Sequence, residues 1–257
     1  MKPVVPVLHR SASLRATIRR GLPRRTHRVI GCRSPDHAVE VLSRQLVDAV
    51  VVDVAQGWAD AAFQLARRFP RVPLFALSPF RPDDGRLLAA CRDAGFRDTL
   101  VEGVDDPVVG ELIAGRTASA VRRSALGDAP RLLRLAEPIQ RHVWDEVLTR
   151  AAGPATTSDI ASAVGCTREH LSREFAAGGA PNLKRVIDLA RAAWAADLLG
   201  NPGYSVSEVA RILGYSSPSH LAGSARRVAG VSAHDLGDLG PRGVLQRFAR
   251  GRMRSRL

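Results

Sequence analysis

Lysine is almost absent from this 257-residue chain: Lys2 and Lys184 are the only two, and the remaining 36 basic residues are arginines. Cysteine is scarce as well. Cys32, Cys91 and Cys166 are odd in number and far apart, which excludes a disulfide framework and any pair at metal-ligand spacing. Aromatic residues make up only 5% of the chain. The apolar run VVPVL near the start is too short for a signal segment or a membrane span, and arginines follow it at once. No Gly-rich phosphate loop, nucleophile elbow or metal-ligand cluster is present, so an enzyme is a weak reading: no catalytic residue, cofactor or metal is expected. A cytoplasmic protein with no membrane partner is expected.

What remains is ample for two cores. Hydrophobic side chains are 45% of the residues, and the formal net charge is +13. Such a charge suits a polyanionic partner. It is uneven, with a net +5 over 1–116 and +8 over 117–257, and six arginines lie within 242–256.

From the start to about residue 116, short apolar runs alternate with segments of helical period. Strands are expected at 3–9, 27–32, 48–54, 72–78 and 97–102. Amphipathic helices are expected between them, with Ser34–Pro35 as a helix start and Gly95 as a stop. Five βα units specify an α/β doubly wound, five-stranded parallel sheet with helices on both faces. In such a sheet the reactive crevice lies at the carboxyl ends of the strands, where strand order reverses. DAVVVDV (48–54) brings Asp53 to such an end.

By its five units, with DAVVVDV and PLFALS in third and fourth place, this half resembles the receiver domain of bacterial response regulators. The resemblance places Asp53 at the phosphoacceptor position and Ser78 at the position of the hydroxyl that contacts the phosphoryl oxygens. It also implies two acidic residues after the first strand to hold Mg²⁺, and a lysine after the fifth. Here His9 and Arg10 occupy the first place and Glu102 the second. A hard divalent cation wants carboxylate oxygens, so both assignments are vestigial: Asp53 is expected to be a relic or a polar anchor paired with Arg10. A ligand held by His9, Arg10 and Asp53 is a third reading that no residue specifies further.

Residues 117–130 are small, polar and basic, and 117–136 read as a partly helical linker. Beyond them the chain is expected to be all α, with no strand. A repeat at a spacing of 49 residues sets SDIASAVGCT (158–167) over SEVARILGYS (207–216). Each copy has the parts of a helix-turn-helix: Thr157 and Ser158, or the capping pair Ser205 and Glu208, to start a helix; Ala161 or Ala210 for a close crossing; Gly165 or Gly214 for the turn. Apolar residues Ile160, Val164 and Leu171, and Val209, Leu213 and Leu221, lock each pair. After each turn a polar helix follows, exposing Arg168, Glu169, His170, Ser172 and Arg173 in the first copy, and Ser217, Ser219, His220, Arg226 and Arg227 in the second. These are side chains that reach base edges and phosphates. Between the copies one long apolar-faced helix, ended by Gly200 and Pro202, is long enough to set two recognition helices about one DNA turn apart, roughly 34 Å.

DIASAVGCTREHLSREF and SVSEVARILGYSSPSHLAGSARRVAGVS resemble the two motifs of the AraC/XylS family of transcriptional regulators. The resemblance covers about 100 residues and implies double-stranded DNA as partner. That family usually has aromatics at the positions of Leu221, Ala225 and Ala229, and often a basic residue where Gly223 stands. The second recognition helix is therefore expected to act mainly through phosphates and the first to read sequence.

The expected organisation is a receiver-like domain at 1–116, a linker at 117–136, an AraC-type DNA-binding domain at 137–240 and a disordered basic tail at 241–257. The function implied is a sequence-specific transcriptional regulator not controlled by Mg²⁺-dependent aspartyl phosphorylation. The competing reading is a phosphorylation-responsive regulator with Asp53 as acceptor. A homodimer through the receiver-like domain and a small-molecule or protein effector stay open.

Overall fold

The computed structural model describes residues 2–23, 27–55 and 57–254, with side chains to 251. The chain divides into two compact units, 2–121 with 201–204, and 122–200 with the residues from 205 onward.

The first unit alternates β1 (Val4–Leu8), α1 (Ala12–Gly21), β2 (Arg28–Cys32), α2 (Pro35–Arg44), β3 (Val50–Val52), α3 (Ala59–Arg68), β4 (Leu74–Ser78), α4 (Gly85–Asp93), β5 (Asp98–Val101) and α5 (Val109–Ala114). All strands pair in parallel in the order β2-β1-β3-β4-β5. β1, β3 and β4 are buried throughout, as near-continuous apolar runs in a two-sided sheet must be. Side chains alternate across the pleat, so Val5, Val7, Val51, Phe75 and Leu77 share a core with Leu14 and Ile18 of α1 and Val109 and Ile113 of α5. Pro6 has no N–H to give β3, and the ladder between β1 and β3 is limited to Val7 with Val51 and Leu8 with Val52, plus a bridge from Val4 to Val47.

Two local devices follow the sequence closely. Ser34 caps α2 by accepting from the His37 N–H, with Pro35 in the first turn, and Gly95 takes a φ of 80° after α4. A third was hidden in it. α1 and α5 touch through glycine: a Cβ on Gly110 would lie 2.4 Å from the backbone of Gly21, so neither position admits even a methyl group without moving a helix.

The strand DAVVVDV carries a buried carboxylate at each end. Asp48, at the start, accepts from the Ser119 N–H and hydroxyl, both at 2.7 Å, and meets His27 Nε2 at 2.9 Å. It thereby anchors the first turn of α6 (Ala118–Ala125) within this unit.

The second unit contains α7 (Ala129–Leu132), α8 (Pro138–Arg150), α9 (Thr157–Ala163), α10 (Arg168–Ala176), α11 (Leu183–Leu199), α12 (Val206–Ile212), α13 (Pro218–Ala229) and α14 (Ala233–Arg254). No strand occurs among its described residues. α11 is its axis. Its 17 residues span about 25 Å, and Val186, Leu189, Ala190, Ala193, Trp194 and Leu198 are all buried. Trp194 also faces the Arg122 guanidinium, and Arg122, almost wholly buried, meets Asp197 at 3.0 Å. α14 crosses the end of α11 so closely that a Cβ on Gly237 would lie 2.6 Å from the Leu199 carbonyl oxygen.

One expectation is overturned here. The basic tail is not disordered up to residue 254. After a break at Gly240, whose φ is 60°, and Pro241, the chain continues as the second arm of α14. That arm is amphipathic: Val244, Leu245 and Phe248 are buried while Arg242, Arg247 and Arg250 are exposed. Three apolar residues at helical spacing sufficed to dock it, against a charge density that alone would favour an extended chain. Arg256 lies outside the described residues.

Candidate nucleic-acid interface and the strand-end crevice

In the second unit each helix-turn-helix is assembled from a cap, a glycine turn and a buried alanine. Thr156 caps α9 by accepting from the Asp159 N–H at 3.2 Å, and the Asp159 carboxylate accepts from the Thr156 N–H at 2.7 Å and hydroxyl at 2.8 Å. The starting residue is therefore Thr156, one position before Thr157 and two before Ser158, where the sequence suggested. Those hydrogen bonds from Thr156 hold the Asp159 carboxyl below its usual range. Ser205 and Glu208 form the same reciprocal box on α12, 49 residues on. Gly165 and Gly214 adopt φ of 74° and 63°, which only glycine takes freely. Ala161 and Ala210 are buried at the helix crossings.

The copies then diverge. Thr167 caps α10, whereas the corresponding cap of α13 is Ser217, a spacing of 50. The second turn has one more residue, Tyr215-Ser216-Ser217 in place of Cys166-Thr167. Tyr215 fills it. Its ring is buried, lies 4.2 Å from the Arg191 guanidinium and meets the His220 ring edge-on. Burial pushes the Tyr215 phenol up and Arg191 partly offsets this. Arg191, from α11, also donates to the Leu213 carbonyl at 3.0 Å, satisfying the end of α12.

α10 buries Leu171 and Phe175 and exposes Arg168, Glu169, His170, Ser172 and Arg173, every residue expected on its polar face. On α13, Leu221, Ser224, Ala225 and Val228 are buried and Ser219, His220, Arg226 and Arg227 are exposed. Ser217 is partly buried and its hydroxyl is engaged by the His220 N–H at 3.0 Å. His220 Nδ1 in turn meets the Ser216 hydroxyl at 2.9 Å. These two side chains are held in place, whereas those of Arg226 and Arg227 extend into solvent.

Sequence reasoning missed the residue that secures the end of α10. Gln140 of α8 is buried, and its Nε2 donates to the carbonyls of Phe175 at 3.0 Å and Ala177 at 3.1 Å, at the end of α10. Its Oε1 accepts from the Glu137 N–H, closing the cap of α8. A Gln in the pattern Glu-Pro-Ile-Gln signals the cap; nothing in the chain signals the contact made 35 residues away.

In the first unit the strand order reverses between β1 and β3, and Asp53 lies there, 0% exposed. Its Oδ1 accepts from the Ser78 hydroxyl at 2.7 Å and the Ala55 N–H at 3.0 Å. Ser78 Oγ itself accepts from the Val54 N–H at 2.9 Å. Asp53 Oδ2 has no hydrogen-bond partner among the described residues. Facing it at 3.8 Å is Nε2 of His9, 1% exposed, which also stands 3.5 Å from Glu102 Oε2. His9 Nδ1 accepts the Ser11 N–H at 3.1 Å, which favours the tautomer with its proton on Nε2, and that nitrogen makes no hydrogen bond among the described residues.

The pairing of Asp53 with Arg10 is corrected by this geometry. Arg10 is exposed and stacks over the Trp58 ring at 5.4 Å; His9 is the residue at the carboxylate. The Mg²⁺ implied by a receiver does not fit these residues. A proton-bearing nitrogen stands where an oxygen ligand is required, and no group of three His, Cys, Asp or Glu among the described residues could hold a metal.

Residues 160–237 match the family model described as a helix-turn-helix domain. Among solved structures, the chain is similar to a response regulator from Thermotoga maritima, at 22% identity and a TM-score of 0.40, covering 45% of this chain and 100% of that one. It is also similar to full-length FixJ from B. japonicum, at 16% identity and a TM-score of 0.39, covering 90% of this chain and 100% of that one. No curated protein matches the chain. The second unit thus carries a helix-turn-helix domain, and the first is a five-stranded parallel α/β unit with the strand order β2-β1-β3-β4-β5. Together they define the class: a protein that joins a parallel α/β unit to a helix-turn-helix domain. No helix among the described residues is long and apolar enough to cross a membrane.

Proposed function

We propose that the protein binds specific double-stranded DNA sequences in the cytoplasm, without catalysis, and that its receiver-like unit works without Mg²⁺-dependent phosphorylation. The observation that carries the DNA reading is α10: a helix locked at its turn by Thr167, on its inner face by Leu171 and Phe175 and at its end by Gln140, with five polar side chains left in solvent. A helix so fixed can present Arg168 and Glu169 to base edges in a constant orientation. On α13 the neighbouring Ser217 and His220 are engaged in the turn, and Arg226 and Arg227 suit phosphate contacts.

Selection of bound sequences from a random duplex pool, followed by anisotropy titrations at several salt concentrations, tests this. Arg168→Ala or Glu169→Ala is expected to alter the selected sequence and to weaken the preferred site by about 10- to 100-fold. Arg226→Ala or Arg227→Ala is expected to weaken all sequences alike and to lower the salt slope by about one each. Wild-type protein that selects no sequence refutes the proposal; equal loss at all sequences from both sets refutes the division of labour.

Against phosphorylation stand the buried, hydrogen-bonded Asp53, the missing acidic pair and the negative Glu102 at the crevice. A phosphoryl group would add charge to a site that has no cation to receive it. The unit is then a regulatory or dimerisation module, with any effector protein or small molecule acting by binding alone.

A further inference from the structure

Arg134 is the only non-glycine residue among the described ones with a left-handed backbone, at φ 58°. It stands just past α7, in the position where helices end on glycine: the Leu135 N–H reaches back to the Pro130 carbonyl at 2.8 Å and the Arg134 N–H to that of Arg131 at 3.3 Å. Glycine would make this turn without steric penalty, and arginine does not. Its backbone gains nothing from the arginine, and its side chain is exposed, with no hydrogen bond or ion pair among the described residues.

That side chain lines an open cavity of about 490 Å³ within the second unit, together with Arg131, Arg141, Asp128 and Leu135. Arg141 is steadied by donating to the Leu135 carbonyl. Asp128 is the only acid on the wall; Arg131 at 3.8 Å and Arg242 at 3.9 Å are both within ion-pair distance of it. Three arginines and one aspartate therefore line the cavity, and that aspartate already has two arginines within ion-pair distance, so positive charge is in excess beside a volume suited to a small organic molecule.

We propose that this cavity binds a small organic oxyanion bearing two or more negative charges, carried on carboxylate or phosphoryl groups. Arg134 and Arg131 grip it through the paired N–H donors that make guanidinium the matching group for such oxygens. Its lining shares no residue with the faces of α10 and α13 or with the group around Asp53, so the proposal holds whether or not those assignments do.

Isothermal titration calorimetry on the full chain tests it, with citrate in one arm and inorganic phosphate in the other, at constant ionic strength in chloride. Saturable binding in either arm is expected, citrate alone marking carboxylates and phosphate marking phosphoryl groups. Arg134→Gly and Arg131→Gln are each expected to weaken it about tenfold or more. Without anion, Arg134→Gly is expected to melt about 2–4 °C above wild type, because the turn is relieved. That combination separates lost binding from lost folding. Absence of saturable binding in both arms overturns the proposal, and so does binding that both variants retain at full strength. So too does a salt-linear rise in melting temperature shared by all three proteins, which is the general exclusion of such anions from protein surface.

Discussion

Gln140 shows how much of the recognition surface depends on one side chain that never reaches it. Its amide nitrogen occupies the carbonyls at the end of α10 and its oxygen the first turn of α8, so both halves of the group are used. Leucine is close in volume but leaves those carbonyls without a donor. Gln140→Leu is expected to destabilise the second unit by about 2 kcal/mol in urea unfolding, in the range for orphaned buried polar groups. Gln140→Glu is expected to cost more, because a carboxylate then faces the negative end of a helix. Both variants should bind DNA less tightly with Arg168 and Glu169 intact, and unchanged stability in both would remove Gln140 from this role. Asp53 makes the opposite point. It lies at the carboxyl end of β3, where strand order reverses and ligands bind in such sheets, but Ser78 holds one oxygen and the His9 ring faces the other at 3.8 Å.

Among elements, α9 and α12 begin with the same reciprocal cap, and the first of these is expected to depend on pH. Thr156 holds Asp159 below its usual carboxyl range, so the folded group stays ionised at pH values where the unfolded one is protonated. The stabilisation is complete above the unfolded value, roughly 3.9, and is lost as pH falls through the lower folded value. Asp159→Asn should therefore show a stability deficit that is constant from neutral pH to about 5 and shrinks below about 4. A deficit independent of pH would mean that the carboxylate charge plays no part in the cap. The turns after these helices were only half legible. Gly165 and Gly214 stand 49 residues apart as the repeat demands, and so do Cys166 and Tyr215, whose N–H groups bond Ala161 and Ala210 alike, yet the caps beyond them are 50 apart, and only the path of the backbone shows that the extra residue follows Tyr215. At the end of the chain, charge density suggested disorder where Val244, Leu245 and Phe248 instead dock a helix.

At the scale of the whole molecule, the parallel sheet of the first unit reverses its strand order between β1 and β3, and the carboxylate at that point is buried against a histidine. Mg²⁺ with beryllium fluoride or acetyl phosphate is expected to leave DNA affinity unchanged, and Asp53→Ala to leave it unchanged as well. A saturable, Mg²⁺-dependent change in affinity that Asp53→Ala abolishes would restore the phosphorylation reading. Sequence by itself determined the sheet and its five βα units, because strands buried on two faces must be continuously apolar and their helices amphipathic. It also determined the two glycine turns and the exposed faces of α10 and α13, because left-handed turns and helical periods leave local marks. Tertiary structure alone decided that His9 rather than Arg10 faces Asp53, that Gly110 is pressed against Gly21, that Gln140 closes α10 and that Arg134 stands in a left-handed turn beside other arginines. Each of these is a contact between distant segments or a backbone angle set by its surroundings. Such relations depend on how elements pack, and no window along the chain contains them.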